Sequence, residues 1–356
     1  MFLQGLFWPA LIFGACAAPG PRQGGVIVQS ALQPGDLQGY AFLYFTGKDE
    51  QIYLAASNGN NALSFTELNE GKPILKSGHG DKGVRDPFVM RSADGTKFYI
   101  LATDLCTRCG TSWGDAQRRG SRHLEIWESP DLVTFSAQRH VLVSPEAYGN
   151  TWAPEAHWDA ELGTYVVYWA SGIYNDGPGG NNTGRERIEY QRMVYATTDD
   201  FVTFSAPRVW QDDPPHGRID STVIRAGDNG TYYRFTKATT ADGCADIVQE
   251  SSPSLTASLG SWTRVASCIG KRAGTRDVEG PSIFKTNPSD VGGGGRYVLL
   301  ADEFGGNGYV PLESNDLASG RWTLNRNYSF PVTPRHGTVI SLTAAELERI
   351  KTAYKK

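Results

Sequence analysis

Two short sequence patterns each recur five times along the chain at nearly regular intervals. The first pattern consists of acidic or polar residues, a short spacer, and an aromatic residue that is followed by Thr in three copies and by Ser in two. Its aromatic positions are Phe65, Phe135, Phe204, Trp262 and Trp322. Five copies of one unit predict a repeat architecture, because such a unit completes its core only against its neighbours.

The second pattern places an ionisable residue at the start of a short apolar strand. Its copies are RDPFVM, PEAHW, IDSTVI, EGPSIF and RHGTVI, and they follow one another with nearly the same period as the first pattern. The ionisable residues are Asp86, Glu155, Asp220, Glu279 and His336. Four short strands per unit, repeated five times, predict an all-β fold, a single five-bladed β-propeller. A β-sandwich would not require ionisable residues at matching repeat positions.

The two ends of the chain carry different signals. A capping box formed by Thr343 and Glu346 predicts a short C-terminal helix. At the N-terminus, an uncharged apolar run that ends in small residues predicts a signal peptide over residues 1–17. Residues 18–39 then form a leading segment, and residues 40–356 form the propeller. The protein is therefore expected to be secreted and extracellular.

Cysteine usage agrees with export. Cys16 would leave with the signal peptide, and the remaining four cysteines form an even set with three alternative pairings. We favour the local pairing, Cys106 with Cys109 and Cys244 with Cys268. A zinc site at the first pair would need a second pair of ligands at suitable spacing, and none is apparent in the sequence.

The overall charge limits the partners of the protein. A net charge of −4 and a pI of about 5.9 provide no basic field for nucleic acid or anionic lipid. Beyond the N-terminal run, no apolar stretch approaches the length that spans a bilayer. We expect neither a nucleic-acid nor a membrane partner, and we expect a monomer.

The repeat position of the ionisable residues predicts their chemistry. The first strands of propeller blades surround a central axis, so the five residues of the second pattern should ring one mouth of the channel. Carboxylates in such a ring repel one another, and at least one pKa should rise. Acid–base cleavage of a glycosidic bond needs a protonated carboxyl beside an ionised one. A lone acid before Pro or Gly is usually a turn residue, but the shared period favours the chemical interpretation.

The motifs RDPF, WAPE, IDSTV, EGPSIF and RHG occur in the order typical of glycoside hydrolase family 43, which the chain resembles from about residue 40 to residue 345. The resemblance implies a propeller that hydrolyses arabinose- or xylose-containing plant polysaccharides with inversion. It implies that Asp86 is the general base and Glu279 the general acid. It also implies that Asp220 tunes the pKa of its partner and orients it.

The resemblance also implies an ion site, and the residue types around the motifs predict substrate contacts. His336 matches a histidine at the channel centre, where a structural Ca²⁺ or Na⁺ ion would be held through water, and no cofactor is required for the reaction. Glu155 stands where many members carry Asp, and it is interpreted as a substrate-binding variation. Trp152 and Phe88 are predicted to wall the sugar subsite, with core packing as the alternative for both. Arg335 is a further predicted substrate-binding residue.

The favoured function is an exo-acting α-L-arabinofuranosidase that acts on arabinan, arabinoxylan or derived oligosaccharides. A β-xylosidase or an endo-arabinanase of the same family is the alternative. A non-catalytic carbohydrate-binding propeller is disfavoured because Asp86, Asp220 and Glu279 are all present. The retaining propellers that split sucrose and fructans need Asn-Asp-Pro and Glu-Cys motifs, which this sequence lacks.

Overall fold

The computed structural model describes residues 32–175, 184–226, 230–240 and 243–355. The predicted signal peptide, residues 1–17, lies outside the described residues, as does most of the predicted leading segment. The first strand begins at Leu37, three positions before the predicted domain boundary. None of the described helices is long and apolar enough to cross a membrane.

The described strands form five four-stranded antiparallel sheets. The first sheet contains β1 (Leu37–Thr46), β2 (Asp49–Ser57) and β3 (Phe65–Glu67). The second contains β4 (Val84–Arg91), β5 (Phe98–Asp104), β6 (His123–Ser129) and β7 (Arg139–Leu142). The third contains β8 (Trp152–Asp159), β9 (Thr164–Gly172), β10 (Gln191–Thr198) and β11 (Arg208–Gln211). The fourth contains β12 (Arg218–Ala226), β13 (Thr231–Ala238), β14 (Ile247–Ser252) and β15 (Thr263–Ala266). The fifth contains β16 (Glu279–Lys285), β17 (Tyr297–Glu303), β18 (Gly308–Ser314) and β19 (Thr323–Leu324).

The last strand, β20 (Pro334–Thr343), completes the first sheet by pairing with β1. Partners across this pair include Leu43 with Thr338 and Ala41 with Ile340. Strands from both ends of the chain thus share one sheet, and the ring of blades is closed without an exposed edge between the first and last blades. The predicted five-bladed propeller is confirmed.

Both sequence patterns correspond to fixed places in a blade. The second pattern begins the innermost strand of every blade, and the strands β4, β8, β12, β16 and β20 contact one another around the axis. The first pattern marks the approach to the outermost strand: Phe65 begins β3, and Trp262 and Trp322 directly precede β15 and β19. These three rings are buried, so they anchor the outer edges of their blades.

The hydrophobic core lies between the blades. Each of the five larger clusters of buried apolar residues draws on strands of two neighbouring blades. One example joins Phe42 and Phe65 of the first blade to Tyr309 of the fifth, with ring centroids 5.6 and 5.9 Å from that of Phe42. Burial of apolar surface between neighbours drives the blades together.

Three short helices and two disulfides complete the described fold. The predicted C-terminal helix is confirmed as α3 (Ala344–Ala353), preceded by the expected capping box. The sequence patterns did not predict α1 (Trp113–Arg119) or α2 (Ile269–Ala273), which are only seven and five residues long. The favoured disulfides are confirmed: Cys106 pairs with Cys109, and Cys244 pairs with Cys268.

Candidate active site

A β-bulge interrupts the start of each innermost strand, where the pairing register with the neighbouring strand shifts. In four of these strands one bulge residue has a positive φ, at 52° for Asp86, 48° for Ala153, 54° for Asp220 and 53° for Gly280. A bulge redirects the side chains around it. These four positions are therefore structurally equivalent, and they define one level of the propeller.

The side chains at this level form a pocket at the mouth where the innermost strands begin. The pocket is open to solvent, and the space among its lining residues, including that at its mouth, is about 460 Å³. Its lining residues are Phe45, Arg85, Asp86, Leu105, Trp113, Trp152, Ile219, Asp220, Glu279, Arg335 and His336. The structure thus brings together Asp86, Asp220, Glu279 and His336, as the repeat predicted, and it adds Trp152 and Arg335.

Four of the five ionisable residues expected to ring this mouth line the pocket, and Glu155 lies deeper, where it still interacts electrostatically with His336 and Asp220. Relative to the bulge position, Glu279 lies one residue earlier and Glu155 lies two residues later. Glu155 and Phe88 instead line the axial channel, together with residues from every innermost strand. The spacing of the sequence pattern could not resolve a shift of two residues, because blade lengths themselves vary by several residues.

The deeper position gives Glu155 a different environment. Its Oε2 accepts a hydrogen bond from the Tyr168 hydroxyl at 3.1 Å. Burial raises the pKa of Glu155 to about 8, although the positive charge of His336 opposes that rise. Phe88 belongs to the core between the second and third blades, which agrees with the packing alternative for that ring. The position of Glu155 and Phe88 in the axial channel does not favour direct contact with a sugar, and such contact stays a prediction.

Asp86 is held in its ionised form. Burial favours the neutral acid, but the hydrogen bond and charge of His336, the charge of Arg85 and a hydrogen bond from Thr103 outweigh it. The pKa of Asp86 therefore lies below its usual value. The Thr103 hydroxyl donates to Oδ2 at 2.9 Å, and the His336 Nδ1 lies 3.5 Å from Oδ1. The same hydroxyl accepts from the Ala153 N–H at 2.7 Å, which ties the second blade to the third.

Glu279 shows the opposite behaviour. Burial and the negative charges of Asp220 and Asp302 raise the pKa of Glu279 to about 7, while Arg335 opposes the rise. The Arg335 Nη2 donates to Oε1 of Glu279 at 3.2 Å. The pocket therefore holds two different carboxyls. Glu279 keeps its proton near neutral pH, whereas Asp86 is ionised.

Asp220 interacts electrostatically with both Asp86 and Glu279. Its pKa is raised by burial and by the charge of Asp86, against the charge of His336. The Gly280 N–H donates to its Oδ2 at 3.1 Å. A Cβ at Gly280 would lie 2.8 Å from Cγ of His336, so only glycine allows this approach. The contact places Asp220 beside the strand that carries Glu279, and its predicted role as pKa modulator stays a prediction.

Arg335 and His336 supply the positive charge of the pocket. The Arg335 Nε donates to Oδ2 of Asp302 at 2.6 Å, so the guanidinium is braced between Asp302 and Glu279. Burial opposes protonation of His336, but the hydrogen bond to Asp86 and the charges of Asp220 and Asp86 raise the pKa of His336 to about 9. Asp302 was missed by sequence reasoning, because it lies near the end of the second strand of its blade, outside both repeated patterns.

The residues around His336 do not suit direct coordination of a metal. An imidazolium carries positive charge and offers no lone pair, and only the neutral imidazole binds metals. Within the described residues, no group of three ligand side chains with converging atoms includes His336. The water-held Ca²⁺ or Na⁺ ion near His336 stays a prediction, and no step of the chemistry below depends on it.

Aromatic side chains form the rim of the pocket. The Arg85 guanidinium lies over the rings of Phe45 and Trp113, at 4.7 and 4.8 Å from their centroids. Trp113 begins α1 and is 51% exposed, and its ring meets Trp152 edge-on at a centroid distance of 5.9 Å. No repeated pattern pointed to Trp113, since it lies in the connection between β5 and β6, outside both patterns. Arg85 could have been found, because it directly precedes Asp86.

Comparisons with known proteins agree with this architecture. An α-L-arabinofuranosidase of Bifidobacterium longum subsp. longum is 29% identical over 367 aligned positions, covering 88% of this chain. The chain spans about a third of the length of that relative, 34%. An α-L-arabinanase of Penicillium chrysogenum, solved with arabinobiose, is similar in fold alone, with a TM-score of 0.50 and 15% identity over 85% of this chain and 87% of its own.

The family comparison covers most of the chain. Residues 35–348 match the family model of the glycosyl hydrolase 43-related domain, which is described as a probable glycosyl hydrolase domain. The match includes all five blades and every pocket residue named above. The predicted family resemblance is confirmed, and the chain belongs to the glycosyl hydrolase 43-related family.

Proposed function

We propose that this chain is an inverting glycoside hydrolase, an exo-acting α-L-arabinofuranosidase. One observation carries the proposal. A single pocket holds Glu279, a carboxyl with a pKa of about 7, and Asp86, a carboxyl with a pKa below its usual value. Two carboxyls whose environments separate their pKa values are the mark of an acid–base pair.

In this mechanism Glu279 donates its proton to the glycosidic oxygen as the bond to the anomeric carbon breaks. Asp86 accepts a proton from a water molecule, and that water attacks the anomeric carbon from the opposite face. The product therefore has inverted configuration, and the two carboxyls should lie about 6.5–9.5 Å apart to leave room for the water. His336 and Thr103 hold Asp86 ionised and oriented, and Arg335 orients Glu279.

The choice of arabinose rests on the relative. Its name, α-L-arabinofuranosidase, supports an arabinofuranoside as the substrate and does not favour the xylosidase alternative. Arabinan, arabinoxylan and their oligosaccharides are the substrates that we propose. Trp113 adds a flat exposed face at the pocket rim, and such faces pack on the C–H surfaces of sugars.

We also propose that the protein is exported. The two disulfides support an oxidising compartment. The uncharged apolar run at the N-terminus supports cleavage of a signal peptide.

The proposed reaction predicts its products. Incubation with linear arabinan, branched arabinan and arabinoxylan should release arabinose as the sole early product, whereas xylo-oligosaccharides should remain intact. Proton NMR during the first minutes should show the β-anomer, because an inverting enzyme acts on an α-linkage. Early release of arabino-oligosaccharides would instead identify an endo-arabinanase. Release of xylose, or of the α-anomer, would contradict the proposal.

The two carboxyls should respond differently to substitution. Glu279→Ala should lower kcat on arabino-oligosaccharides by about 10²- to 10⁴-fold, because the leaving oxygen loses its proton donor. On a nitrophenyl arabinofuranoside, whose leaving group is already acidic, most activity should remain. Asp86→Asn is the matched comparison, and it should be inactive on both substrates because the water loses its base. Equal losses on both substrates for Glu279→Ala would refute the acid assignment.

The pKa values predict the pH profile. Glu279 acts when protonated, so kcat/KM on arabino-oligosaccharides should fall as pH rises through about 7. Asp86 acts when ionised, and its pKa is lowered. Activity should therefore persist as the pH falls to about 3.9, the usual pKa of Asp, and should decline only below that value. Steady-state rates between pH 3 and 9 measure both limbs. A profile that stays flat up to pH 9 would contradict the assignment.

Trp113 should contribute to binding beyond the scissile bond. Trp113→Ala should raise the KM for arabino-oligosaccharides by about tenfold, equivalent to about 1.4 kcal/mol, and should leave the KM for arabinofuranosyl fluoride nearly unchanged. The fluoride carries no sugar beyond the scissile bond. Trp113→Phe keeps a flat ring and should retain most of the affinity. A similar rise in KM on both substrates would show that Trp113 acts within the pocket.

A further inference from the structure

A second cluster of ionisable side chains lies in the second blade, outside the pocket. Asp104 ends β5, Glu125 lies on β6 and His140 on β7, and each offers one ligand atom within 4.8 Å of the others. Glu125 and His140 are direct partners across the two strands. Neither sequence pattern included any of the three residues. We call them the second-blade cluster.

The cluster buries negative charge. Glu125 is fully buried, and Asp104 is 3% exposed. Among the described residues, the side chain that faces Glu125 is the His140 imidazole, which carries charge only when protonated, and Asp104 forms no ion pair. Two carboxylates removed from water are costly unless a cation balances them. Arg122, which neighbours β6 in sequence, donates instead to the Ser144 carbonyl at 3.2 Å.

The neutral contacts of the two carboxylates do not use all of their acceptor positions. The Gln138 side chain donates to Glu125, and the Asp81 N–H donates to Oδ1 of Asp104 at 2.8 Å. Each carboxylate has about four acceptor positions, so these bonds do not saturate them. The loop before β4 closes over Asp104 at Gly80, where a Cβ would lie only 1.9 Å from Oδ2. The cluster is thus enclosed on that side by backbone.

The imidazole of His140 lies in a stack of rings. His123 stacks on it with centroids 3.8 Å apart and planes 11° apart, and His79 lies on it at 5.8 Å and 18°. Three of the six histidines in the chain therefore meet at this place. The stacked rings hold the plane of the His140 imidazole beside Glu125.

We propose that Asp104, Glu125 and His140 bind a divalent transition-metal cation of the Zn²⁺ type. One imidazole nitrogen with two carboxylate oxygens suits Zn²⁺, whereas Ca²⁺ and Mg²⁺ prefer oxygen ligands alone. The cation balances the buried charge and joins the three strands β5, β6 and β7. Asp104 directly follows Thr103, which donates to Asp86, so the metal stabilises the strand end that supports the pocket.

The test uses the full chain after dialysis against a chelator, followed by calorimetric titration with ZnCl₂. We expect saturable binding of about one Zn²⁺ per chain and a higher thermal midpoint with the metal bound. Glu125→Gln and His140→Gln should each weaken binding by at least about tenfold. The His140 side chain is a quarter exposed, so this second variant should fold even if Glu125→Gln does not. His216→Gln is the matched control, because His216 is exposed and pairs with Asp213 elsewhere.

Each outcome decides the proposal. Weak binding by His140→Gln together with unchanged binding by His216→Gln would support it. It would be overturned by the absence of saturable Zn²⁺ binding, by a His140→Gln variant that binds as tightly as the unmodified chain, or by equal losses in both histidine variants. An ion held near His336 would survive the His140 substitution, so binding that persists there would assign the metal to another site. Sugar hydrolysis is not part of this test.

Discussion

The pairing of β20 with β1 is the interaction on which the rest of the structure depends. It joins the two ends of the described chain in one sheet and closes the ring of blades. Because β20 is an innermost strand, the closure also inserts Arg335 and His336 between Glu279 of the fifth blade and Asp86 of the second. The pocket therefore exists only when the last strand of the fold is in place.

The positive charges brought by β20 explain how similar carboxyls acquire different roles. His336 contacts Asp86 and lowers its pKa, while Arg335 is shared between Glu279 and the fully buried Asp302. Glu279 receives only part of that compensation, so burial dominates and its proton is retained near neutral pH. The placement of Arg335 and His336 among the carboxyls therefore decides which carboxyl is ionised and which is protonated. It matters more than whether a given residue is Asp or Glu.

The repeat in the sequence predicted much of this arrangement, because a period in the chain becomes a rotation about the axis in a propeller. It therefore placed Asp86, Asp220, Glu279 and His336 together. It did not resolve the depth of Glu155, since a bulge shifts the register locally and Glu155 lies two positions past the bulge residue. Two residues along a strand separate the pocket from the channel. The intervals between successive repeat copies differ from one another by more than that, so they do not resolve such a shift.

By itself, the sequence determined the fold class, the number of blades and the acids of the pocket, because these follow from periodicity. Among the three possible cysteine pairings it only favoured the one that the structure has. Tertiary structure alone decided which acids share a level and which cations accompany them. It also brought Trp113 to the rim and Asp104, Glu125 and His140 to one point. These contacts join strands of a blade to connections that are not repeated. They arise from bulges and loop packing, which do not produce a repeated pattern in the sequence.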